Sequence, residues 1–93
     1  MQGKIKMFLA KIYVTYKPSI LDPQGEVIKS ALHRLDYTDV NSVMQGKYFE
    51  IKLEAKDQRT AAKEIEEFSD ELLINVNMET FTYKLSEISS VEE

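Results

Sequence analysis

Residues Lys17 to Ile28 read KPSILDPQGEVI, and they are the best-placed group in the chain for chemistry. An Asp-Pro pair followed by Gly, where an extended segment gives way to a helix, leaves the amides of Gln24, Gly25 and Glu26 free at a helix N-terminus. Such amides, helped by the helix dipole, suit a carboxylate. Asp22 would itself consume one of them as the helix cap. An anion pocket, a seat for a partner's loop and a plain helix start are all compatible with the stretch.

Other reactive groups are sparse. The one histidine, His33, has no second ligand or nucleophile beside it in sequence, so a structural role fits it better than metal or nucleophilic work. The serines lie in no nucleophile elbow, and no Walker loop or Gly-x-Gly-x-x-Gly is present. Glu50 and Glu54 share one strand face, but Lys52 separates them and a solvated face is the simpler reading. An acylphosphatase-like phosphate grip would want an arginine after the first strand, where the chain offers only Lys17. No catalytic constellation, cofactor site or metal site emerges.

The elements that position these groups follow from composition and periodicity. A chain of 93 residues with 43% apolar and 30% charged side chains is expected to fold as one domain, residues 1–93. It has no cysteine, which excludes disulfides and thiolate chemistry. The net charge is −4 and the Lys and Arg residues are scattered, so nucleic acid is not an expected partner. No apolar run approaches a membrane span and no signal pattern opens the chain, which makes the cytoplasm the expected compartment.

Ile5 to Tyr16 is rich in aromatic and β-branched residues and apolar on both faces, the pattern of a central strand. Asp22 caps a first helix with Pro23 in its first turn, and Val27, Ile28, Ala31, Leu32 and Leu35 form its stripe. A short strand from Val40 to Met44 is expected to turn at Gln45-Gly46, with Gly46 at positive φ, into a strand from Lys47 to Glu54. A second helix runs from Asp57 or Gln58 to Leu73, with Ala61, Ile65, Phe68 and Leu72 as its stripe and a left-handed Asn75 to close it. A last strand covers Glu79 to Leu85, and the tail from about residue 86 is expected to fray. The order β-α-β-β-α-β implies an α+β, ferredoxin-like two-layer sandwich: a four-stranded antiparallel sheet with two helices on one face.

Two resemblances bear on function. The DPQG turn is similar to the strand–helix junction of ACT regulatory domains, which bind small ligands such as amino acids, although the spacing differs. Much more of the chain, from about residue 5 to 86, resembles the PurS family. That resemblance rests on K-P-x-x-x-D-P-Q-G at Lys17 to Gly25, G-K-Y-x-E at Gly46 to Glu50, and L-L-x-N at Leu72 to Asn75. Two departures are Val76, where the family commonly has proline, and Asp36-Tyr37 in place of Gly-Tyr after the first helix.

The PurS resemblance implies a small subunit of phosphoribosylformylglycinamidine synthase, with no active site of its own. It would join a synthetase, PurL, to a glutaminase, PurQ, so that ammonia from glutamine converts formylglycinamide ribonucleotide to the amidine. ATP and Mg would be used by the complex and not bound by this chain. The same resemblance implies a homodimer, or a tetramer when isolated. The residues allow this: a sheet with helices on one face would expose Met7, Leu9 and Tyr13, joined by Tyr48, on the other. Self-association by sheet-face packing, edge pairing or both is therefore expected. Gly25 inside a helical turn costs ~1 kcal/mol relative to alanine, which implies that another backbone comes close. The expected subunit-contact residues are Lys17, Pro18, Ile20, Leu21, Asp22, Pro23, Gln24, Gly25, Gly46 and Lys47, with Met7, Leu9, Tyr13 and Tyr48 on the open face.

Overall fold

A computed structural model of the chain describes residues 5–88. Strand β1 (Lys6–Tyr16) leads to helix α1 (Pro23–Arg34), strand β2 (Lys47–Ala55), helix α2 (Gln58–Phe68), one π-helical turn (Ser69–Leu73) and strand β3 (Glu79–Ile88). The sheet has the order β2-β1-β3, and both pairings are antiparallel. β1 is thus central, as its apolar residues on both faces predict. The class is α+β with two helices and an antiparallel sheet, but among the described residues the sheet has three strands and not the expected four. β3 continues three residues past Leu85, so Ser86 to Ile88 are strand and not frayed; the rest of the expected tail lies outside the described residues.

The core lies between β1 and α2. Phe8, Ala10, Ile12 and Val14 alternate onto one face of β1 and are buried, with Ala61 and Ile65 of α2 against them. Register places Leu53, Ile51 and Phe49 of β2 beside them on one side, and Leu85, Tyr83 and Phe81 of β3 on the other. Those flanks are only half-buried, because a single helix is narrower than the sheet it covers.

Three sequence expectations change. The segment from Val40 to Gly46 pairs with no strand among the described residues, the expected hairpin with β2 does not form, and Gly46 does not adopt positive φ. Gly46 is required for closeness instead, since a Cβ there would run into the carbonyl oxygen of Val14. The second change lies after α2. The π turn, closed by Ile74 N–H on Ser69 O at 3.1 Å, adds a residue to the helical register. Leu73 therefore packs on the core, while Leu72 is 79% exposed and Ser69 is fully buried. The third is Asn75, which is not left-handed; it closes the turn by accepting from Asn77 N at 3.0 Å and, through its carbonyl, from Met78 and Glu79.

Only Asp36 among the described residues has positive φ outside glycine, at 77°. It ends α1 in a left-handed cap, with Tyr37 N–H bonded back to Leu32 O at 2.9 Å. The chain thus has an aspartate where the geometry favours glycine.

The placement of α1 is the largest departure. Neither core cluster contains an α1 residue, and the helix does not share the sheet face with α2. Val27 and Leu35 of its apolar stripe are 67% and 65% exposed. The described residues reach 63 Å along their longest axis, with a radius of gyration of 17.8 Å. A compact chain of this length would have about 12 Å.

Two stability tests follow from this packing. Ile65→Ala should cost ~2–5 kcal/mol in urea unfolding through the cavity it leaves, whereas Leu72→Ala should be near neutral. Asp36→Gly should raise stability by roughly 0.5–1 kcal/mol by relieving the left-handed residue, partly offset by a more flexible unfolded chain.

Candidate subunit-contact surfaces

Asp22 organises the junction between the sheet and α1. Its Oδ1 accepts from Gly25 N–H at 3.0 Å, which is the helix cap the sequence predicts. Its Oδ2 accepts from Gln45 N–H at 2.8 Å, a partner 23 residues away that the sequence did not indicate. These bonds hold the carboxyl below its ordinary value of 3.8, the Gln45 amide contributing most and the Gly25 amide next. The close backbone that Gly25 calls for is the chain's own: a Cβ there would collide with the carbonyl oxygen of Val43.

The same contacts decide between the readings of the DPQG turn. An anion at this helix start would have to displace a carboxylate already bonded to the amides. The ACT-like ligand pocket is therefore not supported. A hollow of about 170 Å³ does open beside the cap, between Thr15, Gln24, Gln45 and Lys47. Lys47 Nζ closes one side of it by pairing with Glu79 Oε2 at 3.4 Å.

The structure distributes the expected contact residues over two surfaces. Lys17, Pro18, Ile20, Leu21, Asp22, Pro23, Gln24, Gly25, Gly46 and Lys47 gather around the junction at one end of β1. Lys17 N–H is tied to Met78 O at 2.9 Å, and of the apolar pair Ile20 is half-buried whereas Leu21 is 71% exposed. Met7, Leu9, Tyr13 and Tyr48 lie on the sheet face away from α2, apart from the junction residues.

On that open face Tyr13 and Tyr48 pair across the strands with ring centroids 5.1 Å apart. Tyr48 Oη donates to Glu50 Oε2 at 2.7 Å, and this bond to a carboxylate pushes the phenol up to about 12. The face is less apolar than expected, because Lys11, Glu50, Lys52 and Lys84 share it.

Sequence reasoning missed a third surface. Val27, Leu35, Tyr37 and Met44 are all exposed and belong to α1 and the segment after it. Periodicity reveals that the α1 stripe needs an apolar cover, but periodicity does not say which sheet supplies it. His33 lies on α1, donating from Nε2 to Val40 O at 2.9 Å, and no group of three or more metal-ligating side chains occurs among the described residues.

Comparison with known proteins agrees with the PurS resemblance. Residues 9–87 match the family model of PurS, described as phosphoribosylformylglycinamidine (FGAM) synthase. The phosphoribosylformylglycinamidine synthase subunit PurS of Synechocystis sp. is 41% identical over 82% of this chain and 76% of its own length. The crystal form of Bacillus subtilis PurS is 36% identical, with a TM-score of 0.77 over 86% of this chain and 99% of that one. A chain in the structure of PurLQS from Thermotoga maritima is 28% identical, with a TM-score of 0.74 over 88% and 98%.

The junction gives a pH test. Because folding lowers the Asp22 value, its contribution is complete above 3.8 and is lost as pH falls through the lower folded value. Asp22→Asn should therefore lower the Tm at pH 7, and the gap to the unaltered chain should close below pH 3.8, read by circular dichroism.

Proposed function

The chain belongs to the PurS family, subunits of FGAM synthase, and from that premise we propose that it is the non-catalytic bridging subunit of the complex. It joins a PurL synthetase to a PurQ glutaminase. The glutaminase releases ammonia from glutamine, and the synthetase uses it with ATP to turn the amide of formylglycinamide ribonucleotide into an amidine. This chain moves no proton and breaks no bond in either reaction. Its part is to hold the two larger subunits in register, so that ammonia is consumed before it escapes to water as ammonium.

The observation that carries this reading is the match to a chain of the PurLQS assembly. The side chains fit it. The junction and open sheet face offer contact groups: an exposed Leu21, the Tyr13–Tyr48 pair and interleaved charges. They offer no nucleophile–base pair and no cluster of acidic ligands for Mg²⁺ among the described residues. The reading assigns ATP and Mg²⁺ to the larger subunits. The compartment that suits such a complex is the cytoplasm, and no helix among the described residues is long and apolar enough to cross a membrane.

The same reading includes self-association, as a homodimer and, in isolation, possible higher assembly into tetramers. Val27, Leu35, Tyr37 and Met44, all exposed in the single chain, offer such an association apolar surface to bury.

The assay that checks the bridging role mixes PurL and PurQ with and without this chain. Glutamine-dependent turnover should fall by roughly tenfold or more when the chain is left out, while ammonium-dependent turnover by PurL persists. Equal glutamine-dependent rates in both mixtures would refute the bridge.

A further inference from the structure

The outer face of α2 and the turn that ends it carry features that cost stability without serving the fold. Charges stabilise a helix when anions stand at its start and cations at its end. α2 has the reverse order. Apart from the capping Asp57, no acidic residue lies in its first turn, where Lys56 and Arg59 flank the cap and Lys63 follows a turn later. No basic residue lies in its last turn, and Glu67, Asp70 and Glu71 stand there and in the π turn. All six are exposed, and none pairs with an opposite charge among the described residues.

The π turn adds two further costs at the acidic end. π-helical geometry is rare, and single turns of it inside helices frequently mark functional sites. Ser69 is fully buried in this turn, with a hydroxyl that has no hydrogen-bond partner among the described residues. The register that buries Ser69 also turns Leu72 into water while Leu73 packs on the core. Beside Leu72 a hollow of about 490 Å³ opens between Tyr16, Leu73 and Met78, with the Lys47–Glu79 pair at its side. The end of α2 thus presents an apolar knob, an adjoining hole and two carboxylates that lack a cation.

We infer that this end of α2 is a docking point for one of the two larger subunits, at a surface that offers Leu72 an apolar slot rimmed by Lys or Arg side chains for Asp70 and Glu71. The inference rests on the bridging role proposed above and adds to it a surface and the chemistry of its counterpart. Farther along, the same counterpart meets Lys56, Arg59 and Lys63 with acidic groups. The charge order of α2 then selects one of the two directions in which a partner could lie along it. A second copy of this chain fits less well. Two α2 helices laid antiparallel match charge with charge, but each Leu72 then faces the other's cationic start, where Lys56, Arg59 and Lys63 bound a hollow. Such a pairing leaves both knobs without an apolar slot. No α1 residue takes part in the docking, so it and self-association are separable.

The test is titration of this chain into a mixture of purified PurL and PurQ, read by co-elution. Asp70→Lys combined with Glu71→Lys should weaken binding by roughly tenfold or more and make what remains less sensitive to added salt. The same change should raise the Tm by about 2–5 °C, because cations suit the end of a helix. A merely structural role would not move binding and stability in opposite directions. Leu72→Ala should also weaken binding roughly tenfold, at an unchanged Tm. Both variants should sediment as the unaltered chain does. Undiminished binding by both, while the unaltered chain still supports glutamine-dependent turnover, would refute the docking point and keep the bridge. A Tm lowered in both variants would make these residues structural and refute it as well. Loss of self-association with binding intact would assign the end of α2 to a second copy instead. An unaltered chain that neither co-elutes with the mixture nor raises glutamine-dependent turnover would remove the bridge and the docking point together.

Discussion

The direction in which α1 leaves the sheet is fixed by one carboxylate. Asp22 binds Gly25 N–H with one oxygen and Gln45 N–H with the other, so the helix start and the chain returning to β2 are fastened at the same point. Gly25 lets the returning backbone press against the helix, and Gly46 lets it press against β1. Everything between Asp22 and Gln45 must then move as one piece. The exposed stripe, the segment at 40–46 and the half-covered flank of β2 are consequences of that fastening.

Strong periodicity made most of the fold legible in the sequence. The central strand declared itself by apolar residues on both faces, and β2 and β3 by alternation. The two caps, Asp22 and Asp57, stand where their side chains accept from Gly25 and Thr60. The missed features share a physical cause. A strand signal from Val40 to Met44 reports that a segment suits extended backbone; it does not report whose edge will receive it. The π turn was hidden because a helical stripe fits Leu72 and Leu73 almost equally well until one extra residue is inserted. Likewise Gly46 was read as a torsional requirement when the constraint is a carbonyl oxygen at short range.

The placement of the residues expected at subunit contacts was legible in the sequence more than their bonding. The junction group did assemble in one place, because it brackets the strand–helix turn in sequence. Its most informative bond, from Gln45 to Asp22, spans too many residues for local spacing to suggest. The open face was foreseen through Tyr13 and Tyr48, but cross-strand register was needed to see that lysines and glutamates share it.

The two close-packed glycines have an evolutionary consequence. Since neither Gly25 nor Gly46 relies on an unusual torsion, no other residue type is privileged as a substitute at either site, and asparagine or aspartate would fare no better than alanine. Drift at these positions requires a second change that shifts a neighbouring stretch of main chain. Both glycines should therefore persist while the solvent side of α1 varies freely.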